Sequence, residues 1–126
     1  MFRRGIVYNL LPMPTDEQIV QAQVDSYNAR DLERFINYYS PDIVILDGEG
    51  NQMTKGHESM RQLYAGLFEQ SPKLHAEIKT RITSGQYIID EERITGFNLK
   101  GSPSEMHAAV VYRISDGKIT RVQMFL

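Results

Sequence analysis

Asp47 is the residue whose position in this chain most suggests chemistry. It directly follows the apolar run 43–46, and the loop 48–51 behind it contains two glycines. A carboxylate at the end of a buried strand is either a turn former or a group whose pKa is raised for proton transfer. Both interpretations are open on the residues alone, and we expect Asp47 to lie beside a pocket.

Other polar residues are candidates for the same pocket. Tyr39 and Tyr64 stand at apolar positions of predicted helices, where core packing with a satisfied hydroxyl is the alternative. Gln23 lies between two small or apolar residues and either lines the pocket or marks a solvated edge of its helix. The three histidines are separated by 18 and 32 residues, so no local metal-binding pair is visible. We expect no metal and no cofactor.

Composition limits the class of protein. The 126 residues suffice for one domain with a real core, and the net charge is −2 with the basic residues scattered along the chain. A nucleic-acid partner therefore has little support. No apolar run approaches the ~20 residues of a membrane span, so no membrane partner is expected. The chain has no cysteine, which is consistent with a cytoplasmic location.

The start of the chain is predicted to lie outside the domain. Residues 1–14 are interpreted as an N-terminal extension and residues 15–126 as a single domain. The sequence Met13-Pro14-Thr15-Asp16 would make a natural beginning. Residues 1–12 are therefore either a mature segment or the result of a start placed too early.

The periodicity of apolar residues predicts the elements that position these candidates. Thr15 and Asp31 are predicted N-caps of helices over 15–29 and 31–40, and Gly56 precedes a third helix over 57–69. Pro41 ends the second helix. Period-two alternation predicts strands over 74–82, 86–98, 105–115 and 118–126, in addition to the strand 43–47. Tight turns are predicted at 84–85 and 116–117.

This order, α-α-β-α-β-β-β-β, predicts an α+β fold. We expect a cone-shaped barrel in which three N-terminal helices pack in a curved, mainly antiparallel sheet, with a cavity between them. One strand parity would give an apolar wall of Met106, Ala108, Val110, Val122, Met124 and Leu126. The opposite parity carries Ala109, Val111 and Phe125, which are too apolar for an open face and favour a homodimer.

The local pattern around Asp47 carries a family resemblance. The sequence Tyr39-Ser40-Pro41-Asp42 is followed by an apolar strand, Asp47, Gly50, and a helix that begins after Gly56. This stretch resembles the nuclear transport factor two-like superfamily, and within it the ketosteroid isomerases and the SnoaL-like polyketide cyclases. The resemblance covers about 15–126 and implies a single SnoaL-like domain, a homodimer and a small apolar molecule as partner.

The resemblance also assigns roles to individual residues. The isomerase base falls on Asp47, and the two tyrosines that support its oxyanion site fall on Tyr64 and Tyr39. The tyrosine that donates to the steroid carbonyl is replaced by Gln23, and its protonated acid partner by Val110. Since one such donor contributes ~2.7 to 4 kcal/mol, efficient steroid isomerisation is not expected.

The same overlay completes the predicted site. It turns Glu91 and Arg93 toward the cavity, where they would neutralise each other or hold a polar ligand; the alternative is a solvated or interfacial ion pair. Gln23 is the first candidate to stabilise an enolate, together with Tyr27 or Arg93, and Met124 lies in the apolar wall.

Two functional hypotheses follow from these residues. The first is an isomerase or cyclase that uses Asp47 as a general base on an apolar carbonyl compound. The alternative is a non-catalytic module of the same fold that binds a small apolar ligand or a protein partner. An epoxide hydrolase ranks last, because it would need a second aspartate beside Asp47 and Arg93.

Overall fold

The structure, a computed structural model, describes residues 13–126. Residues 1–12, most of the predicted extension, lie outside the described residues. Helix α1 (Asp16–Asn28) begins with the predicted capping box: Thr15 Oγ1 accepts from the Gln18 amide at 3.1 Å, and Gln18 Oε1 accepts from the Thr15 amide at 3.0 Å. These two bonds satisfy amides that the helix itself cannot pair.

Helix α2 (Leu32–Asn37) is capped by Asp31, as expected, but ends earlier than predicted. The chain passes into strand β1 (Tyr39–Leu46), so Tyr39 and Pro41 belong to a strand rather than to a helix and its stop. Helix α3 (Gly56–Gln70) then packs against β1 with its apolar side, from which Met60, Tyr64 and Phe68 are buried.

The remaining strands are β2 (Gln52–Lys55), β3 (His75–Ser84), β4 (Tyr87–Thr95), β5 (Glu105–Ser115) and β6 (Lys118–Phe125). Strand β2 was not predicted, because four mostly polar residues show no alternation that could be recognised. It pairs with β1 across the turn that contains Asp47.

The six strands form one sheet in the order β2-β1-β6-β5-β4-β3. All neighbours are antiparallel except β1 and β6. The predicted α+β class and helices-then-sheet order are confirmed. The sheet is curved around the helices but not closed, since β2 and β3 are its two free edges.

Alternation along β4 decides what the concave face presents. Ile88, Asp90, Glu92 and Ile94 are buried toward the helices, whereas Glu91 and Arg93 are exposed on the other face. Asp90 pairs with Val110 and Glu92 with Ala108 on β5. The inner face of the sheet therefore carries two carboxylates among apolar residues.

The outer face of the sheet carries exposed apolar residues. Phe125 is 41% exposed, Ala109 is exposed and Val111 is half-buried. Association of two copies through this face stays a prediction. Within residues 13–126 no helix is both long and apolar enough to cross a membrane.

Candidate functional site

A cavity of about 500 Å³ opens between the three helices and the concave face of the sheet. The structure places all six residues of the predicted apolar wall in its lining, from Met106 on β5 to Leu126 at the end of β6. Met53, Leu63 and Leu126 are exposed apolar side chains of the same lining. The cavity is therefore an apolar space that solvent can reach.

Glu92 contributes a carboxyl group to this lining, and it is only 5% exposed. Tyr112 on β5 donates a hydrogen bond to Glu92 Oε2 at 2.8 Å. Burial raises the pKa of Glu92 to about 7; the nearby Asp90 adds to this rise, while the Tyr112 hydrogen bond and Arg81 oppose it. A carboxyl group in such an environment exchanges its proton near neutral pH.

The other oxygen of Glu92 is free. Oε1 forms no hydrogen bond with any described residue, and Ser40 Oγ is the single fully enclosed side-chain polar atom without a partner in that part of the chain. Oε1 is thus not among the fully enclosed atoms, and Glu92 is a residue of the cavity lining.

A chain of hydrogen bonds between buried residues of the cavity lining ends at Glu92. The Tyr39 hydroxyl donates to Gln23 Oε1 at 2.7 Å, and Gln23 Nε2 donates to Tyr112 Oη at 3.1 Å. Tyr39, Gln23 and Tyr112 are each buried and all line the cavity. The oxygen and the nitrogen of the Gln23 amide therefore each form a hydrogen bond with a tyrosine, so Gln23 connects Tyr39 to Tyr112.

Tyr27 and Tyr64 supply two further hydroxyls. Both residues line the cavity, and their rings meet edge to face with centroids 6.4 Å apart. Burial raises the pKa of both phenols, with the charge of Glu92 contributing in the same direction. They are consequently neutral donors at physiological pH, and neither hydroxyl is engaged by another residue of the range 13–126.

An ion pair between strands β3 and β4 lies beside Glu92. Arg81 on β3 donates to both carboxylate oxygens of Asp90, from Nε at 2.7 Å and from Nη2 at 2.9 Å. Its Nη1 also donates to Gln21 Oε1 at 3.0 Å. Asp90 is completely buried. Because this pair neutralises itself, Glu92 is the carboxyl that remains without a counter-ion.

The structure places Asp47 elsewhere. Its Oδ1 accepts from the backbone amides of Glu49 at 3.0 Å and Asn51 at 2.9 Å, and Oδ2 accepts from the Asn51 side chain at 3.2 Å. These bonds hold the pKa of Asp47 below its usual range. Asp47 is not part of the cavity lining. Of the two interpretations offered by the sequence, the geometry is that of the turn former.

Glu91 and Arg93 are also not in the cavity, which corrects their expected orientation. Arg93 pairs with Glu105 at 2.9 and 3.0 Å, and Glu91 contacts His107 and Thr80, each at 2.9 Å. All of these contacts are on the outer face. The overlay on the isomerases assigned the wrong parity to β4, since its apolar ends are at even-numbered positions and require Asp90 and Glu92 to point inward.

The remaining predicted residues do line the cavity: Gln23, Tyr27, Tyr39, Tyr64, Val110 and Met124. Neither Glu92 nor Tyr112 was predicted from sequence. Tyr112 shares the parity of Ala108 and Val110, so the wall pattern already contained the signal for it. Glu92 would have followed from the parity of Ile88 and Ile94.

Within residues 13–126 no three acidic or histidine side chains are grouped so that they could hold a metal ion. The chemistry available to the cavity from these residues is proton transfer by one carboxyl and hydrogen-bond donation by phenols.

Comparison with protein families gives one match, to the SnoaL-like domain, which covers residues 20–122. This range contains every residue of the hydrogen-bond chain and the carboxyl that ends it. A search of curated proteins returned no significant match.

Solved structures with the same fold are numerous. An uncharacterized cystatin fold protein from Novosphingobium aromaticivorans is 28% identical, with a TM-score of 0.81, over 89% of this chain and 98% of that one. A protein from Sinorhizobium meliloti, provisionally described as a polyketide cyclase, is 21% identical with a TM-score of 0.71, over 92% and 96%. A hypothetical protein with a ketosteroid isomerase-like fold from Catenulispora acidiphila, in complex with trimethylamine, is 20% identical with a TM-score of 0.70, over 89% and 87%.

Proposed function

The chain belongs to the SnoaL-like domain family, and we propose that it is an isomerase- or cyclase-like enzyme that moves a proton on a small apolar carbonyl compound. In this proposal Glu92, not Asp47, is the general acid and base. The observation that carries it is the position of Glu92: a nearly buried carboxyl in an apolar cavity, with one oxygen held by Tyr112 and the other open to a ligand.

The proposed step is a proton transfer by Glu92 that involves no oxidation or reduction. Ionised Glu92 takes a proton from the carbon beside a carbonyl group, and the C–H electron pair moves into an enolate. Protonated Glu92 then returns that proton to a different carbon, which isomerises the compound. In a cyclisation the enolate carbon instead attacks a second carbonyl group of the same compound, the π pair of that C=O bond moves to its oxygen, and Glu92 protonates the resulting alkoxide. With a pKa of about 7, Glu92 is present in both forms near neutral pH.

Tyr27 and Tyr64 are the proposed donors to the developing enolate oxygen. Both residues line the same cavity as Glu92, and their hydroxyls form no hydrogen bond with other described residues. A donor at such a position typically lowers the barrier by ~2.7 to 4 kcal/mol. They differ in position from the Gln23 and Val110 sites of the isomerase overlay, so efficient steroid isomerisation is still not expected.

The cavity also restricts the compound. A volume of about 500 Å³ with mostly apolar walls suits a compound of one to a few rings that carries its polar group at one end. The structural neighbour in complex with trimethylamine agrees with small-molecule binding in this fold. The neighbour from Sinorhizobium meliloti, provisionally described as a polyketide cyclase, agrees with carbonyl chemistry.

Proton exchange on a probe ketone tests the proposal. We expect the protein to accelerate exchange of the acidic α-protons of 2-tetralone in D₂O, followed by proton NMR. Glu92→Gln should remove at least ~10²-fold of that acceleration, because the amide is not a base. Asp47→Asn is the matched control and should keep the rate within about twofold, since its carboxylate serves a turn.

Two results would refute this proposal. Loss of the acceleration in Asp47→Asn and not in Glu92→Gln would return the role to Asp47. Binding of 2-tetralone, seen as saturation transfer from the protein, with no acceleration in any variant would favour the non-catalytic module instead.

A further inference from the structure

The hydrogen-bond chain from Tyr39 to Glu92 can run in one direction only. An amide oxygen only accepts, so Tyr39 donates to Gln23 Oε1. An amide nitrogen only donates, so Tyr112 Oη accepts from Gln23 Nε2. Tyr112 has a single hydroxyl hydrogen, and that hydrogen is directed to Glu92 Oε2.

The reversed orientation of the Gln23 amide is disfavoured by Tyr39. If the amide were turned over, its nitrogen would face the Tyr39 hydroxyl, and that hydroxyl would need another acceptor. Tyr39 is only 3% exposed, and its hydroxyl forms no other hydrogen bond in residues 13–126. A buried hydroxyl without an acceptor costs ~1 to 3 kcal/mol, so Tyr39 sets the orientation of the amide.

The direction of the chain decides which oxygen of Glu92 carries its proton. Oε2 already accepts the Tyr112 hydrogen at 2.8 Å, and a proton on Oε2 would place two hydrogens between the same two oxygens. Oε1 has no partner in the described part of the chain, and Glu92 is a residue of the cavity lining. We propose that Tyr39 and Gln23 are positioning residues that keep Tyr112 as a donor to Oε2, so that Glu92 exchanges its proton through Oε1 toward the bound molecule. This inference rests on the proposed function of Glu92.

Several titratable or charged groups surround Glu92, and among the described residues only Tyr112 forms a side-chain hydrogen bond with it. Asp90 on β4 and Arg81 on β3 lie beside it and form an ion pair with each other. The phenols around it come from four elements: Tyr27 on α1, Tyr39 on β1, Tyr64 on α3 and Tyr112 on β5. Tyr112 is thus the contact through which a distant change at Tyr39 can reach the carboxyl.

The test is the titration of Glu92, measured by carbon NMR on protein labelled at the glutamate carboxyls and assigned with Glu92→Gln. Tyr39→Phe removes the donor to Gln23 without touching Glu92. The amide is then free to turn and accept from Tyr112, which leaves Oε2 without its donor. We expect the pKa of Glu92 to rise by about one unit, a tenfold change in proton affinity, with the pH profile of 2-tetralone exchange moving by the same amount.

The controls separate positioning from a general effect on packing. Tyr38→Phe removes a half-buried hydroxyl one residue away that does not contact Gln23, and it should leave the titration unchanged. Tyr112→Phe should raise the pKa of Glu92 at least as much as Tyr39→Phe does. Because Tyr39 acts through Tyr112, the double variant should equal Tyr112→Phe alone rather than the sum.

Gln23→Leu interrupts the chain in the middle and gives a second test that does not depend on Tyr39. It should shift the titration in the same direction, since Tyr112 loses the donor that polarises it. The proposal is overturned if the titration is unchanged in Tyr39→Phe and Gln23→Leu, or if the shifts of Tyr39→Phe and Tyr112→Phe add. Failure of the enzyme proposal is distinguishable, because it appears as unaltered 2-tetralone exchange in Glu92→Gln whatever the titration shows.

Discussion

Replacing Glu92 by glutamine should change how the stability of the protein depends on pH. The pKa of Glu92 is raised from 4.5 to about 7 by burial, so the folded state holds the proton more tightly than the unfolded state. The stability from this group is therefore fully present below pH 4.5 and is lost as the pH rises through about 7. At ~1.36 kcal/mol per unit, the loss amounts to about 3 kcal/mol.

Glutamine keeps the shape and can accept from Tyr112 but does not titrate. We expect the stability of Glu92→Gln, relative to wild type, to increase by about 3 kcal/mol between pH 4.5 and pH 8.5. Urea denaturation at a series of pH values measures this difference directly. Glu105→Gln is a suitable control, because Glu105 is exposed and Arg93 lowers its pKa, so its contribution to stability is lost only in acid.

One outcome would refute the reasoning about burial. If wild type and Glu92→Gln lose stability in parallel between pH 4.5 and pH 8.5, Glu92 does not hold its proton near neutral pH in the folded protein. The proposed acid and base role would then have no basis, since a carboxyl with an ordinary pKa is almost entirely ionised at pH 7.

Two further predictions concern the surroundings of the site. Arg81→Met should destabilise the protein by ~3 to 5 kcal/mol in urea denaturation, because it leaves the buried Asp90 carboxylate without its partner. The double variant Arg81→Met/Asp90→Leu should recover most of this loss. Equal losses in the single and double variants would contradict this explanation. Gly96→Ala should lower the thermal midpoint far more than Gly101→Ala. Both glycines have φ of +83°, so both substitutions introduce ~1 to 2 kcal/mol of strain, but only at Gly96 would the new Cβ meet the Lys73 carbonyl oxygen, at 2.1 Å. Similar midpoints for the two variants would show that the close approach is relieved by a shift of the chain.

Much of the fold could be predicted because its signals are local. The capping box at Thr15 and the Asp116-Gly117 turn depend on a few neighbouring residues, and both are present where expected. The turn between β3 and β4 lies at Gly85 and Gln86, one residue later than predicted. The parallel pairing of β1 with β6 joins distant parts of the chain, and nothing in either segment specifies it.

The site was harder to predict because it depends on which face of a strand is buried. The position of Asp47 after an apolar run suggests a catalytic base. The glycine-rich turn that follows, however, supplies amide donors to both of its carboxylate oxygens. Glu92 lies in an acidic segment that looks solvated along the sequence. Its burial and its raised pKa arise only when β4 packs between β3 and β5 with the helices over its inner side.

The charges on the outer side of β4 also constrain how this protein can diverge. A slip of β4 by one residue would bury Glu91 and Arg93 and leave Ile88 and Ile94 in water, so the wrong alignment is strongly disfavoured. Because Ile88 and Ile94 on the inner face and Glu91 and Arg93 on the outer face secure the alignment, a change at position 92 alone leaves it in place. A single strand thus combines a fixed alignment with one cavity-facing position whose chemistry can be exchanged without loss of the fold.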